Sequence, residues 1–257
     1  QEKLALWVTA TCEFGRHDSP FLRSAAEELL ISPNKGAIGL LSTGRPVFSS
    51  VNFSLNEAFI EEVFRLEEGD YQDLGSIFRN TKNNSLNGAL NRNFSLLADP
   101  SLKLARPEFH IEFTSFKDPS NQTILDTLSS LQKVEFQAEV INPTTGGISS
   151  AFEGEYTIEV HDKPSTEKTL GDESNPVEFK ESENLIFKGK GEIVAGKIKG
   201  SMIIPKNINP EFGEGSIRIF GENTSQSWEA LGFKTSIIGG ISNEVPLDTD
   251  GPSITAV

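Results

Sequence analysis

The sequence predicts two units of different class, an α/β layered unit over residues 1–105 and an antiparallel β-sandwich over residues 106–245. The apolar pattern changes near Arg106-Pro107, from continuous runs with helical spacing to short alternating segments. Charge changes there too, because the first unit has 13 acidic and 10 basic residues and the remainder has 24 and 13. A length of 257 residues is enough for two domains of ordinary size.

Short apolar segments predict three strands in the first unit. They are 4–10, 37–41 and either 94–97 or 102–104. The first two are continuous apolar runs, typical of parallel strands that are buried on both faces. Three strands are too few for a complete doubly wound domain, so we expect the sheet to be cut at its N-terminal side.

Three helices are predicted between these strands. Ser19-Pro20 supplies an N-cap followed by a proline at the first helical position. Ser54 with Glu57 forms a capping box ahead of the second helix, and the third is predicted over 71–78. Strand, helix, strand, helix, helix, strand is an α/β layer pattern.

Nine short segments with turn residues between them predict the strands of the second unit. They are 109–116, 134–141, 156–160, 177–179, 185–187, 192–194, 198–204, 216–220 and 231–238. This spacing is typical of an antiparallel β-sandwich. Residues 246–257 are predicted to form a linker and the start of a further domain.

Composition excludes several classes of function. A net charge of −14 at pH 7 opposes binding to nucleic acid. No apolar run reaches the roughly 18–20 residues of a membrane-spanning helix. One cysteine excludes a disulfide framework and a Cys-rich zinc site. We therefore expect no cofactor, no metal ion, no nucleic-acid partner and no transmembrane segment.

Cys12 is the residue with the most specific functional interpretation. It follows the first predicted strand, and ligands of open α/β sheets bind beyond the carboxyl ends of the strands. A thiolate there would be a strong nucleophile. The alternative is a buried free cysteine that acts as a small hydrophobic residue.

A catalytic cysteine needs a base, and the sequence leaves its identity open. His17 is close in sequence, although sequence neighbours seldom form such pairs. In caspases the histidine precedes the cysteine by roughly 50 residues, which would place it upstream of residue 1. His110 and His161 belong to the β-rich unit.

The loop after the second strand supplies candidate substrate-binding residues, namely Thr43, Gly44 and Arg45. In a parallel sheet this loop emerges beside Cys12. Arg45 could bind a substrate carboxylate or a main-chain carbonyl, or it could be an ordinary exposed arginine. Charged residues also flank the thiol, and the arginine among them would favour the thiolate while the carboxylates would oppose it. They are Glu13, Arg16 and Asp18.

Several segments resemble the gingipain-type cysteine peptidases, and within them the cell-surface peptidases that remove C-terminal signals in the type IX secretion of Bacteroidetes. These segments are TATCEF at 9–14, GLLSTGRPV at 39–47, NFSLLADPSLKLA at 93–105, FKGK at 187–190 and IIPK at 203–206. The resemblance covers nearly the whole chain. Relatives usually have an aromatic residue where this chain has His17.

The resemblance implies a partial caspase-like three-layer domain followed by an immunoglobulin-like sandwich. It implies that Cys12 is the nucleophile and that its backbone N–H forms half of the oxyanion hole. It also implies that the catalytic histidine lies on an earlier strand, upstream of residue 1, so that residues 1–257 alone would be inactive.

The resemblance further implies an activity and a location. Such enzymes remove the C-terminal sorting signal of secreted cargo through a thioester and attach the cargo to lipopolysaccharide. Cargo proteins, other type IX secretion components and lipopolysaccharide are thus the expected partners, at the outer membrane of the bacterial surface. The second hypothesis is a non-catalytic scaffold or docking module of the same machinery.

Overall fold

A computed structural model describes residues 4–33, 35–85, 88–172, 174–182, 184–223 and 225–242. The chain divides into two compact units, Gln1–Ala105 and Arg106–Val257, which we call the first and second units. The linker predicted over 246–257 lies outside the described residues.

The first unit contains a three-stranded sheet and three α-helices. In chain order its elements are β1 (Ala5–Val8), α1 (Ala25–Ile31), β2 (Ala37–Thr43), α2 (Ser49–Val63), the short strands β3 (Leu66–Glu67) and β4 (Asp70–Tyr71), α3 (Leu74–Asn84), a 3-10 helix (Ala89–Asn93) and β5 (Phe94–Leu97). The sheet order is β1-β2-β5, so β2 is the central strand. The prediction of a last strand at 94–97 is confirmed, and 102–104 is not a strand.

β5 does not share the parallel orientation that the apolar runs predict for the first two strands. β1 is parallel to β2, but β5 is antiparallel to it. The 3-10 helix brings the chain back to the end of β2, where the Gly44 N–H donates to the Asn93 carbonyl at 2.8 Å. A strand that starts at that end of β2 has to run antiparallel to it.

Side-chain caps decide where two of the helices begin. α1 follows Ser24, whose backbone N–H donates to Glu27 at 2.7 Å while its hydroxyl accepts from the Glu27 N–H at 3.3 Å. The predicted start at Ser19-Pro20 is therefore several residues too early. α3 follows Asp73, which accepts from the Ser76 N–H at 2.8 Å.

The start of α2 was also predicted wrongly. This helix begins at Ser49 and has Phe48 at its N-cap position, without a side-chain cap. Ser54 and Glu57 thus lie inside the helix, where the backbone N–H groups already donate to carbonyls one turn earlier and need no capping box.

The central strand carries the core of the first unit. Leu40 and Leu41 are both almost fully buried and belong to different hydrophobic clusters. Leu40 packs in a cluster with Ala26 of α1, and Leu41 packs in another with residues of α2 and α3. Burying both faces of β2 explains why its sequence is continuously apolar.

The described residues of the second unit form ten strands. They are β6 (Phe109–Lys117), β7 (Thr127–Ser130), β8 (Lys133–Ile141), β9 (Gly154–His161), β10 (Ser165–Lys168), β11 (Glu178–Glu181), β12 (Leu185–Val194), β13 (Lys197–Ile203), β14 (Gly213–Asn223) and β15 (Trp228–Ile241). β10 and β11 form a separate exposed hairpin. The other strands form one sheet in the order β14-β9-β12-β13-β8-β6-β15-β7.

This sheet closes on itself because β14 also pairs with β15, which differs from the two separate sheets of the predicted sandwich. Two of the links in the ring are short. β12 and β13 share the pairs Ile193↔Ile198 and Val194↔Lys197, and β6 and β15 share two pairs as well. β15 runs parallel to β6 and β7, whereas the other ladders are antiparallel.

β12 is one strand where the sequence predicted two, at 185–187 and 192–194. Glycines inside this strand make room for aromatic rings and do not mark a turn. A Cβ on Gly189 would lie 2.9 Å from the Phe187 ring, and one on Gly191 would lie 2.6 Å from the Tyr156 hydroxyl oxygen. A strand interior accepts glycine where another group approaches this closely.

Gly154 permits the close approach of two strands in the second unit. A Cβ at this position would lie 2.0 Å from the Glu222 carbonyl oxygen, so we expect Gly154→Ala to destabilise the unit by about 1–3 kcal/mol. Denaturant unfolding followed through Trp228, in a Trp7→Phe background, measures this change. Gly147→Ala is the matched control, because its nearest neighbour would be 3.9 Å away, and a shift within about 0.5 kcal/mol is expected. Equal effects of the two substitutions would contradict this account.

Candidate active site

Cys12 lies in the loop that follows β1. The residue is exposed, and its thiol donates a hydrogen bond to the Val47 carbonyl oxygen at 3.3 Å. Val47 follows β2, so the loops after two neighbouring parallel strands meet at this point. The interpretation of Cys12 as a buried small hydrophobic residue is wrong, because the residue is exposed.

The backbone on both sides of Cys12 is attached to Thr43, the last residue of β2. The Thr43 hydroxyl accepts a hydrogen bond from the Glu13 N–H at 3.0 Å and donates one to the Thr11 carbonyl. Its carbonyl oxygen accepts from the Gly15 N–H at 2.9 Å. One residue of the central strand thus binds the turn before and after the candidate nucleophile.

Two residues of the turn have unusual backbone requirements, one in its φ angle and one in the space around its Cα. Glu13 has a φ of 59°, in the left-handed region, where a residue with a side chain costs about 1–3 kcal/mol. A Cβ on the buried Gly15 would lie 2.8 Å from the Cβ of Ser42, so this approach needs a glycine. Such strain requires support from the surrounding structure, and β2 provides it.

Thr43, Gly44 and Arg45 were the residues predicted to bind substrate, and for the side chain of Thr43 this prediction is wrong. Thr43 is fully buried, and its hydroxyl is occupied by the turn, so its side chain offers no surface to a substrate. Gly44 is fastened by the hydrogen bond from its N–H to Asn93, and the same Asn93 donates through Nδ2 to the Pro46 carbonyl at 3.1 Å. Substrate binding by Gly44 and Arg45 stays a prediction.

Arg45 forms an ion pair that joins the loops after β1 and β2. Its Nη1 donates to Asp18 Oδ1 at 2.7 Å, and its Nη2 contacts Asp18 Oδ2. The hydrogen bond from Arg45 lowers the pKa of Asp18, and the same bond raises the pKa of Arg45. A substrate carboxylate would therefore have to displace Asp18 before it could bind Arg45.

The charge of the second arginine near the thiol, Arg16, is also paired with carboxylates. Arg16 Nη1 lies 3.6 Å from Glu13 Oε1, and its Nε lies 3.8 Å from Asp18 Oδ1. The two arginines and two carboxylates therefore alternate around the turn. The charges that the sequence analysis found to oppose each other at Cys12 are paired with each other.

The histidines make contacts elsewhere. The Nδ1 of the exposed His17 is 2.9 Å from the Gly15 carbonyl oxygen. His110 Nε2 lies 3.1 Å from a carboxylate oxygen on its own strand, and His161 is buried in β9. Within the residues that the structure describes, the hydrogen bond of the Cys12 thiol goes to Val47 and not to an imidazole.

An open cavity of about 390 Å³ lies against the residue that follows Cys12. Its lining residues are Glu13, Arg16, Ser19, Leu22 and Ser24. Sequence reasoning missed this wall because it placed the helix start at Ser19-Pro20, whereas residues 19–23 lie in the loop and Leu22 is 73% exposed. The capping box of Ser24 and Glu27 was the available signal, since a helix that starts there leaves residues 19–23 in the loop.

Across the described ranges, no group of three or more His, Cys, Asp or Glu side chains is placed to hold a metal ion. Similarly, none of the helices described is both long enough and apolar enough to cross a membrane.

Residues 1–105 match the family model of peptidase family C25. A search of curated proteins found no match. Among solved structures, dimeric latent PorU from Porphyromonas gingivalis is 27% identical over 76% of this chain and 19% of its own, with a TM-score of 0.48. This chain therefore spans about a fifth of the length of PorU.

Two other solved structures are more distant. The Arg-specific cysteine proteinase gingipain R (RgpB) of Porphyromonas gingivalis is 12% identical over 92% of this chain and 45% of its own, with a TM-score of 0.33. Spo0M, a sporulation control protein from Bacillus subtilis, is 7% identical over 52% of this chain and 50% of its own, with a TM-score of 0.32. At such TM-scores the superpositions carry no argument.

Acidification should break the Asp18–Arg45 ion pair only below the pH at which an ordinary aspartate titrates. Arg45 lowers the pKa of Asp18 in the folded protein. The contribution of this ion pair to folding stability is therefore fully present at neutral pH and is lost as the pH falls through the lowered pKa of Asp18. An NMR titration of the Asp18 carboxyl carbon should give a pKa that rises in Arg45→Gln. Arg23→Gln removes another exposed pair, with Glu28, and should leave Asp18 unchanged. An Asp18 titration that is the same with and without Arg45 would disprove the pairing.

Proposed function

Because residues 1–105 match the model of peptidase family C25, we propose that this chain carries the nucleophile of a cysteine peptidase and that Cys12 is this nucleophile. The observation that carries the proposal is the exposed Cys12 thiol at the carboxyl end of β1, inside the residues that match the family. Proteins are the expected substrates of a peptidase family.

The hydrogen bonds of the turn support a role for the Cys12 backbone as well. The N–H groups of Glu13 and Gly15 donate to Thr43. The Cys12 N–H has no hydrogen-bond acceptor in the part of the chain that is described, so it is available to an oxyanion. A donor of this kind contributes about 2.7–4 kcal/mol to stabilising the transition state.

The proposed reaction proceeds through a thioester. The Cys12 thiolate attacks the scissile carbonyl carbon, the peptide C–N bond breaks, and the amine leaves with a proton from the general acid. Water or a second amine then attacks the thioester and releases the thiolate. An imidazole supplied by a part of the whole protein outside these 257 residues is proposed as the base, since the Cys12 thiol donates to the Val47 carbonyl oxygen and the contact of His17 is with the Gly15 carbonyl oxygen.

The finer part of the proposal concerns the cargo. We infer that the whole protein removes the C-terminal signal of type IX secretion cargo at the bacterial surface, and that lipopolysaccharide supplies the amine that resolves the thioester. The 27% identity to PorU over 76% of this chain is consistent with this inference. One thioester accounts for both hydrolysis and attachment, because it reacts with water and with amines alike.

The proposal includes the finer fold assignments. Helix α1 on one side of β2, with α2 and α3 in the other cluster, supports a caspase-like three-layer arrangement of the first unit. In the second unit, the neighbours β15, β14 and β9 on one side and β13, β8 and β6 on the other support an immunoglobulin-like sandwich with two short links between its sheets.

The decisive variant is Cys12→Ser in the full-length protein. We expect trimming and attachment of cargo to fall by about 10³-fold or more, because the hydroxyl is a far weaker nucleophile than the thiolate. Gel shift and mass spectrometry of the cargo measure this loss, and circular dichroism checks that the variant is folded.

His17→Gln tests the alternative base in the same assay. Activity close to that of the unmodified protein is expected, whereas a loss as large as that of Cys12→Ser would identify His17 as the base. If Cys12→Ser still trims and attaches cargo, the nucleophile assignment fails and the chain is better explained as a scaffold or docking module.

A further inference from the structure

We propose that Thr43 is a positioning residue that holds the backbone around Cys12 in its reactive conformation. This inference rests on the proposed function of Cys12 as the nucleophile. The Cys12 thiol donates its hydrogen bond to Val47 and not to Thr43, and Thr43 is fully buried. It would therefore act through the backbone and not through substrate.

The hydrogen-bond partners of Thr43 lie on both sides of Cys12 in the sequence. Its hydroxyl accepts from the N–H of Glu13 at 3.0 Å and donates to the carbonyl of Thr11, and its own carbonyl accepts from Gly15 at 2.9 Å. A threonine hydroxyl can donate and accept at the same time, and both capacities are used here.

Thr43 is itself held firmly. It ends β2, which pairs with β1 on one side and with β5 on the other, where Thr43 lies opposite Phe94. Phe94 is buried, as are the neighbouring residues of β2. A displacement of the Thr43 hydroxyl would thus require the sheet to move, which makes this residue a suitable anchor.

The turn needs such an anchor because Glu13 has a left-handed backbone conformation. Without the hydroxyl, the N–H of Glu13 loses its acceptor and the carbonyl of Thr11 loses its donor. The turn would then relax toward ordinary backbone angles. Both the Cys12 N–H and the thiol would move away from the positions that the reaction requires.

Thr43→Val and Thr43→Ser in the full-length protein test the proposal. Valine keeps the shape of threonine without the hydroxyl, and serine keeps the hydroxyl. We expect Thr43→Val to lower kcat by about 10–100-fold with KM within about twofold, because a misplaced nucleophile slows chemistry more than binding. Thr43→Ser should keep most of kcat.

Thr9→Val is the matched control. The Thr9 hydroxyl is 2.7 Å from the Ser42 hydroxyl, so this variant removes a nearby hydrogen bond between the same two segments without touching the turn at 11–13. Its kcat should stay within about threefold of the unmodified protein. A similar loss in Thr9→Val and Thr43→Val would reduce Thr43 to a general structural role and overturn the proposal.

Hydrogen–deuterium exchange gives a readout that does not depend on activity. The Glu13 N–H should exchange at least about tenfold faster in Thr43→Val and should stay protected in Thr43→Ser. If Cys12→Ser remains active, the proposed function fails, while the exchange result still decides whether Thr43 holds the turn. If activity needs Cys12 but Thr43→Val has an unchanged kcat, this inference alone is overturned.

A second pair of variants covers the case in which Thr43→Val does not fold. Glu13→Val disfavours the left-handed conformation directly, because it is β-branched, and Glu13→Asn tolerates that conformation. Glu13→Val should therefore lower kcat more than Glu13→Asn, again with little change in KM. An equal kcat for the two variants would contradict a role of the turn conformation.

Discussion

The candidate active site depends on the hydrogen bonds between the end of β2 and the turn that bears Cys12. The strand is rigid because it is central in its sheet and buried on both faces, and Thr43 transfers this rigidity to a turn with a strained residue, Glu13. The support is buried while the sulfur atom belongs to an exposed residue. A nucleophile requires this combination, since its backbone has to be fixed and its reactive atom has to be accessible.

Charge around the turn has a geometric role. Arg45 and Asp18 connect the loops after β1 and β2, and Arg16 lies between Glu13 and Asp18. Exposed ion pairs contribute little to stability, so these contacts link the two loops around Cys12 without adding much to the stability of the unit. The cavity next to this turn then has one arginine and one glutamate in its wall. The wall of this cavity is therefore charged but balanced.

The main feature of the second unit is a β-sheet that closes on itself. Pairing of β14 with β15 closes the ring, but the links between β12 and β13 and between β6 and β15 have only two residue pairs each. Most of the facing edge of these strands is therefore unpaired within the described residues, so closure protects the strand edges only in part. Close contacts inside the ring depend on glycines, such as Gly154 opposite Glu222, as much as on large apolar side chains.

The sequence by itself determined the order of an α/β unit and a β unit, the two apolar strands of the first unit and the position of Cys12 after β1, and it gave 94–97 as one of two candidates for the last strand. These features follow from local signals, namely apolar runs, turn residues and a single thiol beside a predicted strand end. Helix starts were misjudged where a plausible cap, such as Ser54 with Glu57, competed with the real start. The antiparallel β5, the closure of the second sheet and the role of Thr43 were decided only by tertiary structure. Each depends on partners far apart in sequence, as with the hydroxyl of Thr43 and the amide of Glu13, and no local pattern records which distant groups will meet.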